Sequence, residues 1–267
     1  MRTIASRHNP AVRAFRDLAE HPDPSGARLL LDGAHLIRDA LDAGLEFEIA
    51  CVALEQEPTT ESARLAAVLD HRGVDVVSLP SQLFALVSPV RTPSGIAAIA
   101  RRPPQQASDI WSGPSPLVAV AVDVQDPGNV GAIIRVADAI GVAGVVVTGA
   151  SANPFSWKAL RGSMGSALRL PVVTSSDVSD VQSQLRESRI RTVGDVARGG
   201  VDPEAVDWPG GVAILVGGEG SGLSDSVVAR CDARVTIPMA SRVESVNVAV
   251  AAAILLYTAR RHRQAGA

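Results

Sequence analysis

Three short polar segments hold the residues of this 267-residue sequence that could do chemistry, and each follows an apolar run. The first segment, 126–135, reads DPGNVGAIIR and contains Asn129 and Arg135. The run 116–124 predicts a buried strand and 130–140 predicts a helix, so the turn lies where ligands of open α/β sheets bind. An arginine early in a helix opposes the helix dipole and indicates an anionic partner. The alternative is a helix cap at Asn129 followed by a surface arginine.

The second segment is the glycine-rich turn 217–223, which follows a strand predicted at 212–216. Glycines let a ligand approach the backbone closely, and Glu219 is unusual because turns favour Asp, Asn and Ser. The turn lacks the Gly-Lys-Ser/Thr of a phosphate-binding loop and the spacing of a dinucleotide fingerprint. A tight turn between the strand and a helix that begins near 224–225 is the alternative interpretation.

The third segment, 235–247, reads VTIPMASRVESVN and lies between a short strand ending at Ile237 and an apolar helix. Pro238 stops strand pairing. Ser245 is typical of a helix cap, whereas a buried amide such as that of Asn247 needs hydrogen-bond partners. A capped core helix therefore explains Ser245 better than it explains Asn247.

Together the three segments resemble the three motifs of the SpoU/TrmH family of RNA ribose 2′-O-methyltransferases, within the SPOUT superfamily. The family motifs are Asn-x-Gly-x-x-x-Arg, Gly-x-Glu-Gly-x-Gly-Leu, and Ile-Pro-Met followed by Glu-Ser-Leu-Asn-Val. Val246 is the one departure, because the family usually has Leu there. The matching residues are Asn129, Gly131 and Arg135 for the first motif, 217–223 for the second, and 237–239 with 244–248 for the third.

The resemblance implies methyl transfer from S-adenosylmethionine to a ribose 2′-hydroxyl, with Arg135 as the family's proposed catalytic arginine. A guanidinium does not deprotonate readily. We therefore hypothesise that Arg135 binds the adjacent phosphate and orients the hydroxyl, and a role as base stays open. Asn129 is expected to hold Arg135 by hydrogen bonds. Glu219 and Ser245 are expected to complete the catalytic site, and Asn247 to fix the loop.

The resemblance also implies where the cofactor and a second subunit bind. Apolar side chains of the third motif suit the adenine, although core packing would explain them outside the motif context. Family members form a homodimer close to the active site. The apolar last helix, 246–260, is consistent with such an interface and equally with core burial. The expected cofactor-binding residues are Thr148, Gly217, Gly218, Ile237, Met239 and Val246.

The chain length allows one large or two ordinary domains, and only 101–115 looks like a linker, because it is rich in Pro, Ser and Gln. We predict an RNA substrate-binding domain over 1–104, a linker over 105–113 and a SPOUT methyltransferase domain over 114–267. The resemblance of the first domain to the family's substrate-binding domain is weaker and is carried by 6–10, 31–34 and 92–96.

Both domains are expected to be α/β. The small first domain alternates helices and strands, whereas the second should contain a mostly parallel sheet, with a trefoil knot implied only by the family. Helices of the first domain are predicted at 10–19, 34–43, 60–72 and 81–86, and its strands at 28–31, 47–54, 74–79 and 95–100. Strands of the second are predicted at 117–124, 144–148, 172–174, 191–195, 212–216 and 234–237.

The charge pattern complicates RNA binding, because the net charge is −3 and neither predicted domain is basic overall. All but one of the 25 basic residues are Arg, which suits bidentate phosphate contacts, although a GC-rich genome produces the same bias. Two clusters are candidate RNA contacts, with an ordinary solvated face as the alternative for each. They are Arg7 and Arg13, beside Arg2 and Arg16, and Lys158, Arg161 and Arg169 in the acid-free stretch 155–170.

The two cysteines and five histidines show no disulfide or metal-ligand spacing, so no metal is expected. The apolar run 246–257 is too short to span a bilayer, and the N-terminus has no secretory pattern, which favours a cytoplasmic protein. The preferred substrate is 23S ribosomal RNA, because the first domain resembles that of members acting on large-subunit rRNA. Transfer RNA is the second choice, and housekeeping and antibiotic-resistance roles are both open. A non-catalytic RNA-binding protein and a nucleotide-dependent oxidoreductase are the other classes.

Overall fold

The computed structural model describes residues 1–54, 60–240 and 244–265 and separates them into two units. The N-terminal unit consists of Met1–Pro104 and Phe155–Leu168, and the C-terminal unit of Gln105–Pro154 and Arg169–Ala267. The segment 155–168, which the sequence placed with the second domain, therefore belongs to the N-terminal unit. Residues 241–243 of the third polar segment lie outside the described residues.

The N-terminal unit contains a five-stranded mixed sheet in the order β1-β4-β3-β5-β2. Its β5 strand runs antiparallel to both neighbours, whereas the other pairs are parallel. The strands are β1 (Arg2–Thr3), β2 (Arg28–Asp32), β3 (Glu46–Ala53), β4 (Asp75–Leu79) and β5 (Ile96–Arg101). The helices are α1 (Pro10–Glu20), α2 (Ala34–Asp42), α3 (Glu61–His71) and α4 (Ser81–Val87). Only β1 was not predicted, because two residues are too short to show an alternating pattern.

The C-terminal unit contains a six-stranded sheet in the order β11-β9-β10-β6-β7-β8, and every pair of neighbours is parallel. All six residues of β6 are buried, as expected when helices cover both faces of a parallel sheet. The predicted parallel α/β sheet is therefore confirmed. Its strands are β6 (Leu117–Val122), β7 (Gly144–Thr148), β8 (Val172–Ser175), β9 (Arg191–Asp195), β10 (Val212–Gly217) and β11 (Ala233–Val235).

The remaining helices complete the two units. The residues predicted as a linker, 105–113, belong to the C-terminal unit and contain the short helix α5 (Ala107–Trp111). Within the described parts of the chain, no helix combines the length and the apolar character needed to cross a bilayer. The helices are α5 (Ala107–Trp111), α6 (Pro127–Ile140), α7 (Trp157–Ser163), α8 (Ser166–Arg169), α9 (Val178–Glu187), α10 (Asp225–Ala229) and α11 (Val248–Ala265), with a 3-10 turn at Pro203–Ala205.

The order of the strands creates a switch point in the centre of the parallel sheet. From β6 the chain adds β7 and β8 on one side, and it later places β10 on the other side of β6. Crevices for ligands form at such points, outside the carboxyl ends of the strands. Gly217 at the end of β10 is in register with Val122 at the end of β6, so the loops after both strands begin side by side. The trefoil knot implied by the family stays a prediction.

The segment 155–168 packs on the N-terminal unit through an aromatic side chain. Phe155 is buried, and the guanidinium carbon of Arg102 lies 4.7 Å from its ring centroid. A Cβ atom at Gly26 would overlap the same ring, and Gly26 also has a φ of +69°. Only glycine therefore fits at this contact without strain. The acid-free stretch 155–170 therefore contains a buried side chain, Phe155, as well as the candidate RNA contacts.

Candidate active site

The first polar segment begins helix α6 through Asp126 and not through Asn129. The carboxylate of Asp126 accepts a hydrogen bond of 3.0 Å from the backbone N–H of Asn129, and Pro127 occupies the first helical position. Both residue types are typical of these positions. The predicted cap at Asn129 was therefore wrong. Because Asp126 satisfies the helix end, the side-chain amide of Asn129 is available for other contacts.

The side-chain amide of Asn129 connects all three motifs. Its Nδ2 donates to Oε1 of Glu219, and its Oδ1 accepts a hydrogen bond of 3.0 Å from Nδ2 of Asn247. Asn247 also caps α11, because its Oδ1 accepts a hydrogen bond of 2.9 Å from the backbone N–H of Ala249. The partners needed by Asn247 are thus present, and Asn247, not Ser245, caps the helix. We refer to Asn129, Glu219 and Asn247 as the amide cluster.

The glycines of the second motif are required by the packing of the chain itself. A Cβ atom at Gly217 would overlap the backbone of Gly222, and one at Gly218 would overlap the carbonyl oxygen of Asp123. Gly218 therefore lets the second turn lie directly against the loop after β6. The two turns are held together by backbone contact as well as by the amide cluster.

A cleft of about 660 Å³ opens at the carboxyl edge of the parallel sheet, beside the amide cluster. This volume lies in the range of small-molecule sites. The structure does not bring Thr148 to the cleft, because that residue is buried at the end of β7 and its carbonyl accepts from the backbone N–H of Asp123 at 3.2 Å. The predicted residues that line the cleft are Gly217, Gly218, Glu219, Ile237, Met239, Ser245, Val246 and Asn247.

The lining of the cleft fits S-adenosylmethionine. Ile237, Met239 and Val246 provide apolar surface for an adenine ring, and the glycine turn lets its edge approach backbone amides. S-adenosylmethionine also carries positive charge. Acidic side chains on the same cleft, among them Asp195, can bind that charge. The cleft therefore offers both chemistries that this cation needs.

Asp195 is one of several lining residues that were absent from the predicted site. It ends β9, and its carboxylate makes no hydrogen bond or ion pair with the described residues. Burial raises its pKa to about 6. The available signal was an acidic residue at the end of a predicted strand. The sequence could not show that β9 lies beside β10 and β11, whose loops form the cleft.

Arg135 lies apart from the amide cluster. Its side chain is exposed on α6 and makes no hydrogen bond or ion pair within the described parts of the chain. The predicted bond from Asn129 to Arg135 was therefore wrong. Six residues of helix turn through about 600°, so the two side chains leave α6 roughly 120° apart. The guanidinium of Arg135 is therefore available to bind a ligand or another molecule.

The candidate RNA contacts are exposed but fall in different units. Arg7 and Arg13 lie in the N-terminal unit, as do Lys158 and Arg161. Arg169 belongs to the C-terminal unit, where it forms an ion pair of 3.1 Å with Asp138. The second predicted cluster is therefore divided. No three His, Cys, Asp or Glu side chains gather as metal ligands among the described residues.

Known proteins resemble this chain over both units. The model of the SpoU rRNA methylase family matches residues 116–257. The 23S rRNA (guanosine(2553)-2′-O)-methyltransferase RlmP of Bacillus subtilis is 30% identical over 262 residues, which cover 97% of this chain and 100% of that protein. The SpoU methyltransferase AviRb from Streptomyces viridochromogenes, solved in complex with AdoMet, has a TM-score of 0.86 at 27% identity, covering 97% and 100% of the two chains.

A further structural neighbour matches only part of the chain. The TrmH/SpoU tRNA modifying enzyme of A. aeolicus covers 57% of this chain and 77% of its own, with a TM-score of 0.51 at 25% identity. The likeness to RlmP and AviRb extends almost over the full length of this chain.

A parallel sheet with a cleft and a polar cluster at its carboxyl edge defines an α/β methyltransferase that uses S-adenosylmethionine. The chain belongs to the SpoU rRNA methylase family. The predicted family, fold class and cofactor are thereby confirmed.

Proposed function

We propose that this protein transfers the methyl group of S-adenosylmethionine to the 2′-hydroxyl of a ribose in 23S ribosomal RNA. The observation that carries the proposal is the amide cluster, which joins the three motifs beside a cleft of suitable size and lining. The proposal is supported by the names of two similar proteins, RlmP and the 23S rRNA (uridine(2479)-2′-O)-methyltransferase of Streptomyces viridochromogenes, which both specify methyl transfer to a 2′-oxygen.

The residues of this chain perform different parts of the reaction. Bound S-adenosylmethionine supplies an electrophilic methyl group on its sulfonium. The amide cluster keeps the two turns and the start of α11 in one arrangement around the cleft. Arg135 binds the phosphate next to the target ribose and holds the hydroxyl in line for attack, which lowers the entropic cost of the step. In the transfer, the ribose oxygen would bond to the methyl carbon as the carbon–sulfur bond breaks, with S-adenosylhomocysteine as the leaving group and the hydroxyl proton released to water.

The choice of ribosomal over transfer RNA rests on the N-terminal unit. RlmP, named for 23S rRNA, matches both units of this chain, whereas the tRNA modifying enzyme covers 57% of it. We infer that the N-terminal unit binds the RNA substrate, with Arg7 and Arg13 among its contacts. Since ribosomes of bacteria are assembled in the cytoplasm, the proposed substrate places the enzyme there.

The test is transfer of label from methyl-labelled S-adenosylmethionine to separated 23S rRNA and tRNA. We expect label in 23S rRNA, and a loss of about 100- to 1000-fold in the rate for Arg135→Ala. Arg186→Ala, which removes an exposed arginine of α9, is the matched control and should keep the wild-type rate. Label in tRNA alone would reject the proposed substrate. Wild type that binds the cofactor but labels neither RNA would favour the non-catalytic alternative.

We also propose that the protein is a homodimer that uses one face of α11. Val250, Ile254 and Tyr257 are exposed apolar residues at helical spacings of four and three, so they form one stripe along the helix. Apolar stripes of this kind are typical of surfaces covered by a partner. The sequence had allowed either a dimer interface or core burial for this helix, and its other face packs against α6.

The dimer is tested by sedimentation equilibrium of wild type and Ile254→Arg. Wild type should have twice the 27.6 kDa mass of one chain, and the variant should shift toward the single-chain mass. Leu86→Arg makes the same change at an exposed apolar residue of α4 and should leave the mass unchanged. A wild-type protein with the mass of one chain at micromolar concentration would refute the proposal.

Contacts of the N-terminal unit with RNA are tested by the double charge reversal Arg7→Glu, Arg13→Glu. Removal of two phosphate contacts should raise the KM for RNA and make it less sensitive to salt, because fewer counterions are released on binding. The affinity for S-adenosylmethionine should not change. An unchanged KM and salt dependence would identify these arginines as ordinary surface residues.

A further inference from the structure

Asp195 lies between the two loops that form most of the cleft. It is the last residue of β9, which pairs with β10 on one side and β11 on the other. The loop after β10 carries the glycine turn of the second motif, and Asp195 itself is in register with Val235 at the end of β11. Its side chain therefore lies at the carboxyl edge, one strand away from the switch point, on the wall of the cleft.

The residues that the structure describes provide no partner for this carboxylate, although they do so for another acid beside the same strand. Asp232 accepts hydrogen bonds from both the backbone N–H and the hydroxyl of Thr192, at 2.7 and 2.8 Å. Asp195 has no such contact with the described residues, and its carboxyl is largely withdrawn from water. A half-buried carboxylate without a partner lowers the stability of a protein, so its presence on a cleft indicates a ligand that supplies the partner.

We propose that Asp195 binds the cofactor directly, with its carboxylate as the acceptor for a cationic or hydrogen-bond-donating group of S-adenosylmethionine. The inference rests on the proposed function. An ionised carboxylate is only an acceptor, and this cofactor carries a sulfonium, an ammonium and ribose hydroxyls that an acceptor can bind. Asp195 is thus a recognition residue for the cofactor, outside the three motifs.

Binding through the carboxylate requires that Asp195 be ionised, so cofactor affinity should fall as the pH falls below about 6. Other charged groups on the cleft modulate the field at this position, and Arg198 and Glu244 form an exposed ion pair of 3.5 Å there. The charged side chains that share the cleft with Asp195 are Arg198, Glu219, Asp225, Arg234 and Glu244.

The experiment is calorimetric titration of wild type, Asp195→Asn and Asp180→Asn with S-adenosylmethionine, S-adenosylhomocysteine and sinefungin. Asp195→Asn should bind S-adenosylmethionine at least about 10-fold more weakly at pH 7.5 and should lose the decline below pH 6. Asp180→Asn removes the same charge from the exposed first turn of α9, and its affinity should stay within about 2-fold of wild type.

The three ligands distinguish the groups that Asp195 could bind. Sinefungin has an amine in place of the methyl sulfonium, whereas S-adenosylhomocysteine is uncharged at that position. A loss confined to S-adenosylmethionine and sinefungin assigns Asp195 to the positive charge at the reacting centre. An equal loss for all three assigns it to the shared ammonium or ribose hydroxyls. Both outcomes support direct binding.

An unchanged affinity would overturn the inference. Equal affinity of wild type and Asp195→Asn for all three ligands would remove Asp195 from the site, whereas failure of wild type to bind S-adenosylmethionine would count against the proposed function instead. An unchanged affinity with a loss of kcat above about 100-fold would identify Asp195 as a proton acceptor. Misfolding is excluded by thermal unfolding of the apo protein, in which the variant should be at least as stable as wild type.

Discussion

Two half-buried carboxylates, one in each sheet, have opposite surroundings. Glu48 on β3 accepts hydrogen bonds from Arg28 on β2 and from Arg101 on β5. Burial alone would raise the pKa of Glu48, but the hydrogen bonds and charges of the two arginines outweigh burial and lower it. Asp195 on β9 has no partner of this kind among the described residues, and burial raises its pKa to about 6.

The two sheets thus differ in whether the half-buried carboxylate has a hydrogen-bond or ion-pair partner. In the N-terminal sheet, charged residues pair across neighbouring strands, both antiparallel, as for Glu48 with Arg101, and parallel, as for Arg2 with Asp75. All strands of the C-terminal sheet run in one direction, so their following loops gather at one edge. At that edge the amide cluster satisfies its own members, whereas Asp195 is left for a ligand. The paired charges around Glu48 therefore have a structural role. Asp195, which has no partner among the described residues, indicates a ligand-binding site.

Among the tests of this comparison, the largest effect on the rate is expected from breaking the amide cluster with Asn129→Ala. Glu219 loses its amide donor and Asn247 its acceptor, so the turns around the cleft lose their fixed arrangement. We expect methyl transfer to fall about 10- to 100-fold, as for residues that orient a reacting group. Initial rates at saturating RNA and cofactor measure this loss.

The matched control is Asn9→Ala in the N-terminal unit. The side chain of Asn9 caps α1 by accepting from the backbone N–H of Ala11 at 2.9 Å. Its removal should lower the free energy of unfolding by about 1 kcal/mol and leave the rate at saturating RNA unchanged. Equal effects of the two variants on the rate would contradict the assignment of the amide cluster to the active site.

A smaller effect is expected from Glu48→Gln, and it should appear in stability alone. The substitution leaves Arg28 and Arg101 without their shared carboxylate. Both arginines are well exposed, so the cost should be only about 1 kcal/mol in the free energy of unfolding. Urea unfolding measures it, and the affinity for S-adenosylmethionine should match wild type. A loss of cofactor binding would show that the paired carboxylate is not purely structural.

The last expected effects are opposite slopes of stability against pH for the two acids. The folded-state pKa of Glu48 is lowered from 4.5, so its contribution is present above that value and is lost as the pH falls through the folded pKa. The folded-state pKa of Asp195 is raised from 3.8 to about 6, so its contribution is present below 3.8 and is lost as the pH rises through about 6.

Urea unfolding of the apo protein from pH 4 to pH 7.5 measures both slopes. The free energy of unfolding of wild type should exceed that of Glu48→Gln by an amount that grows with pH. Over the same interval, the free energy of unfolding of Asp195→Asn should rise relative to that of wild type. Parallel curves for Asp195→Asn and wild type would mean that this carboxylate is not destabilised in the fold. The comparison between the two acids would then fail.

Much of the fold could be predicted because apolar periodicity reports burial directly. The strand predicted at 191–195 has these bounds in the structure, and that at 117–124 is shortened by two residues. The two-residue strand β1 was missed because it has no periodicity. The cap of α6 was misassigned because Asp126 and Asn129 are both suitable capping types, and only the backbone geometry selects Asp126.

The candidate site was predictable where its chemistry is carried by residue type and spacing within one segment. Glu219 and Asn247 stood out as polar residues that a turn and a capped helix do not explain well, whereas Asn129 was also interpreted as a possible helix cap. The sequence could not pair them, because 90 residues separate Asn129 from Glu219 and 118 separate it from Asn247. The expected contact of Asn129 with Arg135 was the wrong pairing, since the helix turns the two side chains away from each other.

The sequence by itself determined the strands, the helices, the three motifs and the family. Local patterns of burial and turn chemistry encode these features, so no tertiary information is needed. Only the tertiary structure decided that β9 lies between β10 and β11 and that 155–168 packs on the N-terminal unit. The position of Asp195 on the cleft follows from that strand order. Strand order depends on contacts between distant segments, and a single sequence carries no local signal for them.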